Sequence, residues 1–417
     1  MTIKLGAWYF PGWVPNDPGA PTRPDPWASN DTTNNIYVGS FPARTPIDGP
    51  FNEHDQWVMD KAILDASTAG ISWFGMCWYW GISSQTRPLK YKHGIERFLS
   101  SKYNTRMEVC LLFDNTTSRL VSLSDWGAAI DYCLSNYMHH PSYKKINNKP
   151  VMVLFDTDRG CRQVSYCMQN YPTNEFWGDW ASGTTYYVGN IVRDAANSLG
   201  GGANAWYACN TTHAASGTMA NATASWTFKN TEPTLAAYTS SMNYMLDYAR
   251  SKARQHGFAG LYFVGCQYTN PYWIGSNAGT PKLLAAGGFD AATQYLCHYY
   301  VTGQNWATGA ASNSSRSESY SEMCTQHENE WTSALVNSNQ TIPYWLPISA
   351  GYNNDAWTAS ASRYPTVDTN TTRHNSLCGG NPITFATHLN NAKTKLTTYP
   401  STTTGTAEHA VIYASIS

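Results

Sequence analysis

Ala69-Gly70-Ile71-Ser72-Trp73-Phe74-Gly75-Met76-Cys77-Trp78-Tyr79-Trp80 is the stretch that decides the fold. Before it, residues 55–69 place Trp57, Ala62, Ile63 and Ala66 at helical spacing, so one face of a helix is predicted there. Gly70 is where such a helix stops, because glycine enters the left-handed conformation that closes a helix C-terminus. From Ile71 to Tyr79 the run is apolar with little alternation, the pattern of a strand buried on both faces. A helix that hands over to a doubly buried strand is the unit of a parallel sheet with helices packed outside it.

The unit recurs along the chain. Strands are predicted at 3–10, 71–79, 107–113, 150–155, 261–266, 289–296, 344–349 and 410–415. Between them lie helices at 93–101, 124–138 (with Ser124 as its cap), 158–171, 234–256 and 318–336. Eight strands in this order predict one α/β domain over 1–417, a (β/α)₈ barrel. Residues 173–232 break the rhythm. They are rich in Gly, Asn, Thr and Trp, with Gly200-Gly201-Gly202 in the middle, and read as an insertion over one rim that has room for a hairpin.

Composition narrows the partners. The 417 residues carry a net charge of −1 and only 13% charged side chains, and no basic patch stands out, which argues against nucleic acid. Asn, Thr, Ser and Gly supply a polar, uncharged surface of the kind found on extracellular and virion-surface proteins. No apolar stretch reaches membrane-spanning length. Met1-Thr2-Ile3-Lys4 runs straight into a strand without the apolar core of a signal peptide. That leaves a cytosolic chain, one whose leader has been removed, or one released by cell lysis, as a phage tail component would be. The ten cysteines are scattered and form no Cys-x-x-Cys pair, so mostly free thiols are expected. His139-His140-Pro141 has no matching ligands, and neither a metal nor a cofactor is expected.

In such barrels the working groups stand at the carboxyl ends of the strands. Tyr9 and Trp13 follow the first, and Trp78, Tyr79 and Trp80 the second. Asp114 and Asn115 follow the third, and Asp156 and Asp158 the fourth. Gln267, Tyr268 and Asn270 follow the fifth, and Gln294 and Tyr295 the sixth. Tyr352, Asn353, Asn354, Asp355 and Trp357 follow the seventh. Aromatic faces recur beside acids and amides, and basic residues are nearly absent. A sugar ring, with an apolar C–H face and a rim of hydroxyls, matches that set.

Trp73 and Phe74 read as core. Trp78 and Trp80 divide evenly between core and sugar contact. Cleaving a glycosidic bond ordinarily takes two carboxyl groups. Asp114, Asp156 and Asp355 are the candidates, each with an alternative reading as a turn or cap residue. Glu328-Asn329-Glu330-Trp331 lies inside a predicted helix, where side chains two apart do not share a face, and reads as an outer barrel helix.

Several segments together resemble the glycoside hydrolase family 99-like domain, which includes bacterial polysaccharide-locus proteins. They are Trp8-Tyr9-Phe10-Pro11-Gly12-Trp13, then Ala69 to Phe74 with Trp78-Tyr79-Trp80, then Pro141-Ser142-Tyr143 with Asn148-Lys149-Pro150-Val151. Gly288-Phe289-Asp290-Ala291, Ile342-Pro343-Tyr344-Trp345, Gly351-Tyr352-Asn353-Asn354 and Phe385 to Leu389 follow in the family's order. The resemblance implies a (β/α)₈ barrel acting on glycans, in its best-known branch a metal-independent, retaining endo-α-mannosidase that works through two Glu. It places Tyr9 and Asp114 on substrate-contacting positions, although the family often has Glu where Asp114 stands.

The family's Glu pair lies in a Trp/Phe-Asn-Glu-Trp-x-Glu-Gly signature just after the last strand. Here the sequence reaches Ser417 with that strand. Either the signature and the completion of the barrel lie beyond residue 417, which the bare eighth strand favours, or the protein lacks the pair. The expectation is therefore a glycan-processing barrel, a retaining hydrolase of an α-linked polysaccharide. Its setting would be a phage tail or a bacterial surface, with other virion or surface proteins as neighbours. The alternative is a non-catalytic glycan-binding or structural virion protein on the same scaffold.

Overall fold

The computed structural model describes residues 3–15, 48–81, 91–115, 122–155, 157, 159–202, 204–267, 284–294, 320–338, 342–349, 382–400 and 408–413. Eight of its strands form one parallel sheet. In chain order they are β1 (Ile3–Tyr9), β2 (Trp73–Tyr79), β3 (Glu108–Asp114), β4 (Lys149–Leu154), β5 (Tyr262–Gln267), β6 (Ala291–Gln294), β7 (Leu346–Ser349) and β8 (Glu408–Tyr413). Each pairs in parallel with the next from β1 to β6, β7 pairs with β8, and β8 pairs with β1. The last seam is joined by a parallel bridge between Ala292 and Tyr344. There Ala292 N–H donates to the Pro343 carbonyl at 2.9 Å and Trp345 N–H to the Ala292 carbonyl at 2.8 Å. The ring of strands is closed, and the fold is the (β/α)₈ barrel that the sequence pattern predicts.

Helices α1 (Gln56–Thr68), α2 (Lys92–Ser100) and α3 (Leu123–Cys133) connect the first four strands. Gly70, at φ +88°, ends the turn after α1. The buried face of α1 is Val58, Met59 and Ile63, while Trp57 points outward and is 50% exposed, so the apolar face drawn from the sequence is rotated. The cap of α3 is Ser122, whose hydroxyl accepts from Asp125 N–H, and not Ser124. The helix predicted to continue to Met138 does so as a wider π turn over Leu134–Met138.

Between β4 and β5 come α4 (Arg159–Asn170) and the longer α5 (Leu235–Gln255). It is α5 that lies beside α3: Trp126 Nε1 donates to the Met245 carbonyl, and Lys252 pairs with Asp131 one helical level further on. The two contacts advance in the same direction along both helices, so α5 fills the crossover position, and its first residues, from Leu235, run past the start of α3. On that overhang sits α4, through Ser241–Gln169 and Tyr238–Tyr166, and the inserted segment packs on α4 through Tyr166–Trp206. The insertion is a four-stranded sheet in the order Trp226–Asn230, Ala205–Cys209, Asn190–Asp194, Glu175–Asp179, with a two-stranded ribbon beside it. It has its own small core of Tyr186, Val192, Tyr207, Met219 and Trp226. Helices α6 (Tyr320–Ser338) and α7 (Pro382–Thr398) flank β7. Glu328 and Trp331 serve this packing: Glu328 accepts from Asn391 of α7, and Trp331 Nε1 donates to the Pro347 carbonyl. No helix among the described residues is long and apolar enough to cross a membrane.

The barrel interior is filled with aromatic rings. Trp8 meets Trp73 edge-on at 5.8 Å, Trp73 meets Trp345 at 5.2 Å, and Trp345 stacks on Tyr262 at 6.4 Å. Rings this large fit because small residues face them. A Cβ on Gly6 would stand 2.0 Å from the Trp73 ring, and one on Gly75 would stand 2.3 Å from Trp8. At the amino end of the strands, Glu108 accepts from Lys144 at 2.9 Å and Lys4 at 3.2 Å, with Lys144 also over the Trp73 ring. This charged group occupies the amino end of the barrel, opposite the carboxyl end, or mouth, where the working groups of such barrels stand.

Candidate functional site

Strand alternation sorts the mouth residues. Gly75 and Trp73 face the barrel interior, so in the same strand Cys77 and Tyr79 do too, while Phe74, Met76 and Trp78 face the helices. In the β2–β3 register Tyr79 is the direct partner of Asp114. The two therefore stand side by side at the inner edge of the mouth, and both are half-buried.

Aromatic rings continue from Tyr79 along the lip. Tyr91 packs edge-on to Tyr79 at 5.3 Å and to Phe10 at 5.3 Å, and His93 follows and stacks on His54 at 4.1 Å. Tyr91 sits at φ 56°, ψ 20°, a left-handed conformation that costs a non-glycine residue on the order of 1 kcal/mol. The packing of its ring between Phe10 and Tyr79 holds it there. The other lip residue is Trp80. Its ring lies against Trp78 and Tyr132, and its Nε1 donates to Asp125 Oδ1 at 2.6 Å.

A buried carboxylate supports the neighbouring loop. Glu53, only 3% exposed, accepts from the Tyr9 hydroxyl at 2.7 Å with one oxygen and from Trp13 N–H at 2.7 Å with the other. Burial, then the nearby Glu53 charge, pushes the Tyr9 hydroxyl well above its ordinary pKa, so Tyr9 stays a neutral donor. This pairing pins the chain after β1 to the residues just ahead of α1.

The sequence candidates fall into three groups. Tyr9, Tyr79, Trp80 and Asp114 are half-buried around the mouth, with Tyr9 turned toward α1 and α2 through its contacts with Glu53 and Phe74. Trp78, Trp13 and Asn115 are corrected to buried positions. Trp78 is fully enclosed by Phe113, Tyr132 and Tyr137 because its place in β2 turns it toward α3. Trp13 and Asn115 are likewise buried, so neither offers a face to a ligand in this conformation. Asp156, Asp158, Tyr268, Asn270, Tyr295, Tyr352, Asn353, Asn354, Asp355 and Trp357 lie outside the described residues. For Gln267 the described feature is its backbone, which ends β5 opposite Gln294.

Phe10, Glu53, His54, Tyr91, His93 and Asp125 are added by the structure. Tyr91 is the N-cap of α2 and His93 lies in its first turn, a placement that hydropathy along the chain does not mark. Glu53 and Asp125 reach their partners across more than forty residues. Among the described residues no group of three His, Cys, Asp or Glu is placed to hold a metal ion. Within that set, Cys77, Cys110, Cys133, Cys167, Cys209, Cys266 and Cys324 are thiols that form no disulfide.

The mouth thus carries half-buried aromatic faces beside a carboxylate. Such a surface accepts the C–H face of a polyol and hydrogen-bonds its hydroxyls.

No protein family and no curated protein matches this sequence. Solved structures do show likeness in shape. The family 99 endo-α-mannosidase from Bacteroides thetaiotaomicron, in complex with bis-tris propane, aligns with a TM-score of 0.48 at 11% identity, covering 98% of this chain and 82% of that one. A second structure of that bacterium's family 99 endo-α-mannosidase gives 0.47 at 12% identity, with 98% and 83% covered. A family 5 glycoside hydrolase from Prevotella bryantii gives 0.39 at 10% identity, with 98% and 88% covered.

Proposed function

We propose that this protein is a glycan-processing barrel that takes a neutral poly- or oligosaccharide at its carboxyl-end mouth and hydrolyses a glycosidic bond there. The observation that carries the reading is the Tyr79–Asp114 pair on adjacent strands, facing the mouth beside the Phe10–Tyr91 aromatic lip. Tyr79 supplies a face for a sugar ring, and Asp114 a carboxylate for its hydroxyls or for its reacting centre. Retaining hydrolysis of an α-linked polysaccharide is the finer form of the proposal. It rests on the ordered segments that resemble the family 99-like domain and on Asp156 and Asp355 as further carboxylates. A phage-tail or bacterial-surface setting, among other virion or surface proteins, is supported by the polar, sparsely charged composition.

A second reading has its own observation. Among the described residues, Glu53 and Asp125 are buried carboxylates close to the mouth, and both are occupied by hydrogen bonds to Tyr9, Trp13 and Trp80. Two carboxyl groups are ordinarily needed for cleavage, and these two are used in construction. A glycan-binding protein without hydrolysis follows if Asp114 acts alone. Incubation with mannan, α-glucans and bacterial capsule, read by release of reducing ends, separates the two. Release from one of them supports the hydrolase. Binding to one of them without release supports the binding protein.

A further inference from the structure

We propose that Asp125 is a positioning residue that holds the Trp80 indole as a fixed stacking platform for a second sugar unit on the outer lip. The proposal rests on the glycan reading above. Tyr79 faces the mouth, and Trp80, the next residue, turns to the opposite side toward α3. A ligand that touches both therefore extends over the lip and comprises more than one sugar.

The support of Trp80 is built into the start of α3. Asp125 is nine-tenths buried in the first turn of that helix, where the aligned peptide dipoles favour a carboxylate. Its own N–H donates to the Ser122 hydroxyl at 3.1 Å, so the acid's backbone is anchored before it reaches Trp80. Its Oδ1 then accepts from the indole N–H at 2.6 Å, a charge-assisted bond in a largely desolvated place. Trp78 and Tyr132 bound the ring on other sides, and Trp80 as a whole is half-buried.

Two consequences follow. The ring is ordered before ligand arrives, so binding does not have to freeze it. Its N–H is already consumed, so Trp80 offers stacking and no hydrogen bond. The lip position therefore reads the presence of a further ring and tolerates different hydroxyl configurations on it.

The test is titration calorimetry of the full chain with manno- and malto-oligosaccharides from disaccharide to hexasaccharide, alongside tryptophan emission. Asp125→Ala is expected to weaken hexasaccharide binding roughly three- to tenfold, the worth of one stacking contact. It should leave disaccharide binding unchanged and remove the emission change that the longer ligand causes. Asp125→Asn keeps a carbonyl acceptor for the indole and is expected to restore binding to within about twofold, on the same contact. Asp131→Ala removes the ion pair to Lys252 further along the same helix without touching Trp80 and should bind as the unaltered protein does. If Asp125→Ala does not fold, Asp125→Ser, too short to reach the indole, replaces it. Equal hexasaccharide binding by the Ala or Ser variant overturns the proposal, and so does an equal loss in Asp131→Ala. Undiminished binding by Trp80→Ala overturns the platform itself. Absence of binding by the unaltered protein overturns the glycan reading beneath it.

Discussion

Replacing Glu108 with Gln is expected to destabilise the barrel while leaving its mouth intact. Lys144 is 1% exposed, and Glu108, at 2.9 Å, is its counterion. Removing one partner of a buried pair leaves the other charge desolvated and uncompensated, which costs about 3–5 kcal/mol. Glu108 itself is 32% exposed, which places the expectation at the lower end, about 3 kcal/mol. The second partner, Lys4, is more open and adds less than about 1 kcal/mol.

Lys144→Met should cost less than Glu108→Gln, because a partly solvated carboxylate that keeps Lys4 remains. The double variant Glu108→Gln/Lys144→Met should recover most of the loss, since no buried charge is left. Urea unfolding at neutral pH measures all four proteins, with the midpoint moving and the slope unchanged. The acid limb gives an independent reading. Burial tends to raise the Glu108 carboxyl, but Lys144 and then Lys4 outweigh it and hold its pKa below the usual value. Its stabilisation is therefore fully present above the unfolded carboxylate pKa and is lost as pH falls through the lower folded value. That part of the acid dependence should be absent from Glu108→Gln. Stability of Glu108→Gln within about 1 kcal/mol of the unaltered protein would refute the reasoning. So would a double variant no more stable than Glu108→Gln.

Gly75→Ala drives a methyl into the Trp8 ring and should cost about 1–3 kcal/mol, with altered near-ultraviolet circular dichroism from the interior tryptophans. Burial between α6 and α7 pulls the His388 imidazole down to about 4, with Glu328 at 3.8 Å opposing the shift. A depressed histidine disfavours the folded state once the unfolded chain can take up the proton. Stability is therefore full above the ordinary value of about 6.5 and falls by about 3 kcal/mol as pH drops toward 4. His388→Phe, which can stack on Trp331, should flatten that window in pH-dependent thermal melts. Asp114→Asn should lower or abolish glycan cleavage without moving the melting temperature by more than about 2 °C, since the group is half-buried at the mouth and outside the core. Unchanged release of reducing ends would remove Asp114 from the site.

The strands were legible because doubly buried strands need near-continuous apolar runs, and such runs stand out between helices closed by residues such as Gly70. All eight strands appear within a few residues of their predicted positions, even the short β6. Legibility ended where hydropathy loses direction. Trp78 and Tyr79 are equally aromatic and adjacent, and both faces of β2 are buried, so nothing local tells which ring turns inward. The α1 face was rotated for a related reason, since Trp57 is apolar by composition but half of it lies in solvent. The insertion hid its sheet because short strands broken by Gly and Asn turns carry little periodicity.

By itself, then, the sequence determined an eightfold strand–helix alternation, a polar surface with little charge, and a concentration of aromatics and acids at strand ends. Those properties are local, written in spacing and side-chain type. The tertiary structure decided which of those side chains meet. It turned Trp78 away and Tyr79 inward by strand alternation. It set Asp114 beside Tyr79 by register, and it brought Glu53 to Tyr9 and Asp125 to Trp80 across long stretches of chain. Such contacts form only when a closed barrel fixes every strand against its neighbours, and no spacing along the chain encodes them.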